Sequence, residues 1–572
     1  MAVTTGNERL DPARGAAAVL DTATRSHARA VLVLVIVALL NFLPGFFEIP
    51  PIDRDEARFA QATKQMLESG DYIDIHFQDD VRYKKPVGIY WLQAGVVKAA
   101  SALGLPHPLT TIWLYRIPSL FGALGAVLLT YWAALAFVSR RGAVLAGVMM
   151  ASCVLLGVEA HLAKTDAVLL MTVVAAMGAL ARAYLPEQRG RLDGASAWIL
   201  AAIFWTALGA GMLIKGPMVL LFSGLAVLTL AIIDRSARWL LVLKPIPGLI
   251  WFAMLVLPWF VAILSRAGET FINESVGTDM LPKIFGSMEG HGAPPGAYLL
   301  LLFVTFWPAA TLAGLAAPAA WAARREPGAK FLLAWIIPSW ILFELVVTKL
   351  PHYVLPAYPA LAILFAGIVE SRSLSRAAWM MRGTLWWFVF PVLAGVLGIV
   401  ALVGIGHQLG LLAWLFAGAA SVFGLLAWQL YDPDSAEQSL MCATLSSILI
   451  AIAVYGVVLP SIAQLFPSAT LARILSESGC ASPQAAAAGY QEPSLVFLAG
   501  TSIRLTDAAG VADFLKGGTC RYGFIESRME RNFAQRAEAI GLRYSPGPRI
   551  EAINISQGRP ITIAVYRAEA PL

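Results

Sequence analysis

Apolar runs recur along this chain at lengths that cross a bilayer, and no other feature limits its fold as tightly. About 20 apolar residues in a helix span roughly 30 Å of hydrocarbon. Such runs lie near residues 30–48, 117–138, 142–160, 167–185, 197–214, 217–233, 246–265, 297–317, 330–347, 354–370, 384–404, 410–430 and 440–460, which predicts about 13 transmembrane helices. In lipid the backbone must satisfy its own hydrogen bonds, so these runs are expected to be helical. Only 14% of the 572 residues are charged, against roughly 25% in soluble domains. A soluble globular chain is excluded. The net charge of +6 reflects Lys and Arg gathered in loops on one side of the membrane, so no nucleic-acid partner is expected.

The loops orient the helices. Arg25/Arg29, Arg140-Arg141, Arg182/Arg189/Arg191, Arg235/Arg238/Lys244, Arg324-Arg325/Lys330 and Arg372/Arg376/Arg382 fall in alternate loops, which places the N-terminus in the cytoplasm. The run at 87–104 is short and interrupted by Lys98. As a span it would invert everything after it, so it reads as an interfacial helix. Residues 1–24 are polar, without an apolar run or cleavage signal, and read as a disordered cytoplasmic leader before an uncleaved anchor. The expected architecture is an all-α polytopic membrane domain over 25–460, with extracytoplasmic loops at 49–116 and 266–296, followed by a small extracytoplasmic α/β domain over 461–572. In that last segment helices are predicted near 468–478, 507–516 and 528–541, and strands near 494–500, 521–527, 549–555 and 560–567. Cys153 and Cys442 lie in apolar runs as inert core residues. Cys480 and Cys520 face an oxidising compartment, where they form a disulfide or stay separate thiols. No cysteine or histidine spacing marks a zinc site.

Candidate site residues gather in the loops opposite the basic ones. Asp53-Arg54-Asp55-Glu56-Ala57-Arg58 holds three carboxylates and two arginines in six residues; this pattern suits a reactive site or simply the solvated face of an interfacial helix. Tyr83-Lys84-Lys85-Pro86 precedes an aromatic amphipathic stretch, which suits an anionic headgroup or generic lipid anchoring. Asp166 in His161–Asp166 is a carboxylate at the start of a span or only a helix cap. Lys215 is a site cation or a snorkelling side chain. Lys349, His352 and Tyr353 lie between two spans, and Lys283 follows an acidic loop containing Glu274. Carboxylates and cations converging on one face suit transfer from a lipid phosphate. Cations neutralise the leaving phosphate, and a carboxylate orients or deprotonates the incoming hydroxyl. No phosphate-binding loop, dinucleotide fingerprint or nucleophile elbow is present.

The segments DEARFA, YKKP…YW, KTDA and KLPHYVLPAYPALAIL resemble those of the bacterial aminoarabinose transferases and their protein-mannosyltransferase-like relatives, which are C-type glycosyltransferases. The resemblance covers the membrane region to about residue 370 in order and spacing. It implies that fold, a polyprenyl-phosphate-linked sugar donor, inverting transfer, and a lipid or glycan acceptor (lipid A, lipopolysaccharide core or a related glycan) at the periplasmic face of the inner membrane. It also implies a catalytic carboxylate at Asp55, with Glu56 and Arg58 beside it, a donor-phosphate lysine at Lys85, and a second acidic position at Asp166. Lys215 and Tyr353 match positions near the same phosphate. Lys283 stands where these enzymes tend to carry arginine, which keeps the charge and loses the bidentate fork. Lys84 departs from an acidic position, which argues against a metal contact there and against aminoarabinose as the sugar, and favours a more anionic donor such as a uronic acid. No cofactor is expected to be required, membrane lipids are the surrounding partners, and the protein is expected to act as a monomer.

Two other readings compete. A transporter or flippase of lipid-linked sugars predicts internal repeats and ionisable residues at mid-membrane, whereas the ionisable residues here sit at one membrane edge. A protein O-mannosyltransferase-like enzyme, or a glycan-binding scaffold, differs only in its acceptor or in turnover.

Overall fold

The computed structural model describes residues 12–280 and 292–569. Each expected apolar run contains helix. Among the described residues nine helices are long and apolar enough to cross a membrane, or ten if the bent pair Arg140–Ala151 and Val154–Ala160 is one span. The runs near 30–48, 217–233 and 297–317 contain shorter apolar helices, His27–Phe42, Met218–Asp234 and Ala309–Ala322. Gly88–Ala102 is a helix of 15 residues, about 23 Å long, too short to cross the hydrocarbon.

Where a disordered leader was expected over 1–24, Pro12–Thr24 is a helix. Leu20 and Ala23 are buried on one side of it, and Asp21 meets Arg141 at 2.5 Å. Its polar composition conceals a short apolar stripe at helical spacing.

Two glycines set the close approaches that position the site. A Cβ on Gly122 would lie 2.6 Å from the Val168 nitrogen, so only glycine lets helix Ile112–Ala134 press against the start of Asp166–Tyr184. A Cβ on Gly88 would lie 2.7 Å from the Leu213 carbonyl oxygen. That contact brings the Lys85 segment to the end of helix Gly194–Lys215.

The chain leaves the bundle after Ser461 and enters the C-terminal domain through helix Pro467–Ser476. Its sheet runs in the order Arg504–Leu505, Gln484–Ala488, Arg521–Glu526, Arg559–Ala568, Tyr544–Asn554. The first three strands are parallel, and the last two pair antiparallel. The strand expected at 494–500 is a helix, Pro493–Ala499, opened by proline at its first turn. A short apolar run does not separate a buried helix from a buried strand. The strand is instead Gln484–Ala488, whose alanines alternate between the cores on the two faces of the sheet. Cys480 and Cys520 form a disulfide, with Cα atoms 5.9 Å apart.

This domain sits on helix Asp55–Ser69. Lys64 Nζ donates to the Phe497 carbonyl at 2.9 Å, and Gln61 Nε2 donates to Thr501 Oγ1 at 2.9 Å. Gln78 Nε2 reaches the Ile503 carbonyl at 2.8 Å, and Phe497 packs edge-on against Tyr115.

Candidate active site

The first element of the site is a buried clamp. Arg116 Nε and Nη2 donate to the two oxygens of Glu56 at 2.7 and 2.9 Å. Arg116 also donates to the carbonyls of Ile49 at 2.8 Å and Pro50 at 3.1 Å. Glu56 accepts the backbone N–H groups of Ile52 at 2.8 Å and Ala163 at 2.9 Å. Both side chains are buried. The pair therefore ties the loop after helix His27–Phe42, the start of helix Asp55–Ser69 and the 161–165 loop into one unit. Both oxygens of Glu56 are taken, so its geometry is that of a positioning residue rather than the catalytic one expected.

Asp55, the next residue back, opens its helix and is exposed. Arg54, before it, has a left-handed backbone with φ 68°, a strained state for a side chain of this size. Its guanidinium donates to the Ser556 carbonyl at 2.6 Å. On its other side Asp53 accepts the Ser494 N–H at 3.1 Å and lies 3.4 Å from the Tyr490 hydroxyl, which donates to it. Burial raises the Asp53 carboxyl to about 6, with Glu492 adding to the rise and the Ser494 and Tyr490 bonds opposing it. The backbone at Asp55 is thus held from the C-terminal domain.

Facing it is a compact group of opposite charges. Asp166 starts helix Asp166–Tyr184 and pairs with Lys215, at the end of helix Gly194–Lys215. Lys164 Nζ lies 3.0 Å from Glu159 and 3.6 Å from Asp166. Burial acts to lower the Lys164 ammonium, but Glu159 and Asp166, with Asp55 contributing, hold it above the usual lysine range. His352 stands 3.8 Å from both Glu159 and Asp166 and 3.4 Å from Lys164. The Lys215 ammonium lies 5.6 Å from the centre of the Tyr353 ring. Lys85 donates to the Lys84 carbonyl at 2.9 Å, and its charge bears on His352.

Asp55, Lys85, Asp166, Lys215, His352 and Tyr353 thus come together at one edge of the bundle. Other expected residues stand elsewhere. Lys84 is exposed. Tyr83 is buried and donates to Asp74 at 2.7 Å, bracing its own loop. Lys349 donates to the carbonyls of Glu344 at 2.9 Å and Val346 at 2.6 Å, capping the helix that ends at Leu345. Arg58 lines a cavity of about 960 Å³ between helix Asp55–Ser69 and the C-terminal domain, together with Arg54, Gln491, Arg528 and Ser556. Lys283 lies outside the described residues.

Glu159, Lys164 and Arg116 were not singled out from sequence. A lone charge at the edge of an apolar run is the available signal, because burying one demands a partner. Oxygens of Glu159 and Asp166 and a ring nitrogen of His352 lie within 4.8 Å of one another, a grouping able to hold a cation. Lys164 pairs with one oxygen of Glu159 and Lys215 with Asp166, while Glu159 Oε2 has no hydrogen-bond partner among the described residues.

Several known proteins are similar to this chain. The family described as dolichyl-phosphate-mannose-protein mannosyltransferase matches residues 33–269. An undecaprenyl phosphate-alpha-4-amino-4-deoxy-L-arabinose arabinosyl transferase of Erwinia tasmaniensis is 30% identical over 321 residues, 54% of this chain and 54% of that protein. The protein of the same name from Pectobacterium atrosepticum is 28% identical over 387 residues, 66% of this chain and 65% of its own. The chain therefore spans between about half and two thirds of the length of these curated relatives. In structure, ArnT from Cupriavidus metallidurans bound to undecaprenyl phosphate aligns with a TM-score of 0.69 at 17% identity, over 93% of this chain and 97% of that one. The chain thus shares the fold of the Cupriavidus ArnT, and its sequence is similar to those of the arabinosyl transferases and, over residues 33–269, to the protein mannosyltransferase family.

Proposed function

We propose that this protein transfers a sugar from a polyprenyl-phosphate donor to an envelope acceptor at the periplasmic face of the inner membrane. The observation that carries this reading is the grouping of Lys164, Asp166 and Lys215 at the membrane edge, with exposed Asp55 and half-buried Lys85 beside it. A phosphate arriving from the bilayer meets Lys85 and Lys215, whose charge offsets what develops on it as it leaves. The acceptor hydroxyl attacks the anomeric carbon and its proton passes to the Asp55 carboxylate. The bond from that carbon to the phosphate oxygen breaks, the electron pair goes with the oxygen, and polyprenyl phosphate departs. One displacement of this kind inverts the anomeric centre.

Asp166 and Glu159 hold the lysines in place for this step. Tyr353 packs beside Lys215 and limits where the phosphate sits. The relatives' names, and the undecaprenyl phosphate bound in the Cupriavidus structure, support a donor carrier of that chemical class. The cavity behind Arg58, polar on both walls, suits the headgroup of a lipid A, lipopolysaccharide-core or related glycan acceptor.

The test is mass spectrometry of envelope lipids and glycans from cells with and without the protein. One glycosyl substituent should vanish, return with the wild-type chain, and stay absent with Asp55→Asn. Identical glycans in all three strains would sink the proposal.

A further inference from the structure

Helix Asp166–Tyr184 starts in the carboxylate–lysine group and ends, 19 residues later, in the wall of a second cavity. At 1.5 Å per residue the two ends are about 28 Å apart. This cavity therefore belongs to the opposite membrane edge and has no part in the chemistry proposed above. Its volume is about 530 Å³, and Arg189, Arg238, Lys330, Asp234 and Trp239 line it with Tyr184.

Its charges are unbalanced. Asp234 is already committed, accepting from Lys330 at 2.7 Å and from the Tyr184 hydroxyl at 2.7 Å. Arg189 and Arg238 have no carboxylate partner among the described residues. Trp239 is buried edge-on to Tyr184, with ring centres 5.2 Å apart. Its indole N–H finds no acceptor among the described residues, and a buried donor left without one is costly. Two guanidinium forks and a nearby N–H, with no acceptor supplied by the protein, call for a compact oxyanion with several oxygens. Around the cavity, Ile232, Ile233 and Leu241 expose more than half of their surface, an apolar margin that a free inorganic ion would leave unused.

We propose that this cavity binds the phosphodiester headgroup of an anionic phospholipid, its oxygens between Arg189 and Arg238 and its acyl chains along Ile232, Ile233 and Leu241. The site is separate from the donor site and independent of the transferase reading.

The test is native mass spectrometry of the full chain in detergent. Phosphatidylglycerol is titrated in one arm, phosphatidylethanolamine with the same acyl chains in another, and millimolar inorganic phosphate is added as competitor in a third. The wild type should retain one phosphatidylglycerol about tenfold better than phosphatidylethanolamine. Arg189→Gln with Arg238→Gln should bring the two lipids level, without moving the melting temperature of the delipidated protein. If that double variant does not fold, Arg238→Glu alone, at an exposed position, should lower phosphatidylglycerol retention. Undiminished retention in the variants, or no preference between the lipids in the wild type, overturns the proposal. Displacement by phosphate alone overturns it as well, by making the site one for free phosphate.

Discussion

Arg116 and Glu56 meet fork to fork inside the protein, at 2.7 and 2.9 Å, with neither side chain open to solvent. Removing one member strands the other as an uncompensated buried charge, which costs about 3–5 kcal/mol. Glu56→Ala and Arg116→Ala should each lower the unfolding midpoint in detergent and the folded yield. A Glu56→Ala protein of normal stability that lost only turnover would return Glu56 to the acid–base chemistry.

Asp55 is exposed and starts its helix, so its replacement disturbs no buried partner. Asp55→Asn should reduce transfer by about 10²–10⁴-fold, the usual contribution of a general base, with unfolding unchanged. Single-turnover transfer, read by mass spectrometry of the product, checks this. Turnover at the wild-type rate removes Asp55 from the mechanism.

Lys85 stands beside the His352 side of the charged group. Lys85→Ala should weaken polyprenyl-phosphate binding by about tenfold, the value of roughly one charge-assisted hydrogen bond, and slow transfer as well. Titration calorimetry with a short-chain polyprenyl phosphate measures the first effect. Equal affinity in the variant and the wild type would mean the phosphate sits elsewhere.

The docking of the C-terminal domain carries a pH signature. Asp53 is held at about 6 when docked, against 3.8 for a free aspartate. The docked state keeps a proton that the released state loses between those values, so docking is firmest near pH 4 and weakens up to about pH 6, by about 3 kcal/mol in all. Glu492, Tyr490 and Arg54 share the neighbourhood and are common to both proteins compared. Asp53→Asn should therefore match the wild type near pH 4 and melt higher than it at neutral pH. Parallel midpoints across the whole range would disprove this assignment.

Cys480 and Cys520 close a loop with a sequence separation of 40, and opening it should cost the C-terminal domain about 2–4 kcal/mol. Cys480→Ser, or reduction of the wild type, should lower the unfolding midpoint. No difference between oxidised and reduced protein would mean that the bond adds nothing to stability.

The membrane helices were legible because a span of lipid imposes one simple period and length on every run. The grouping of Asp55, Lys85, Asp166, Lys215, His352 and Tyr353 was legible for a related reason, since topology alone puts their loops on one side. Arg116 and Glu159 were not, because a single charge inside an apolar run does not name its partner, and Glu56 lies 60 residues from Arg116. Glu56 misled for the same cause: beside Asp55 it looks like half of a carboxylate pair, and only packing shows that it is already occupied. The strand Gln484–Ala488 was hidden by alanine, which favours helices in isolation and here suits a sheet covered closely on both faces.

The left-handed turn at Arg54 bears on how such a chain can be rearranged. Asp53 on one side, and Arg54 through its own side chain, are gripped by residues more than 400 positions away. Without that grip Arg54 is free to relax and the aim of Asp55 changes with it. The C-terminal domain therefore cannot be treated as an exchangeable module. A chimera that swaps it between relatives should work only if helix Asp55–Ser69 and the turn before it travel together with it.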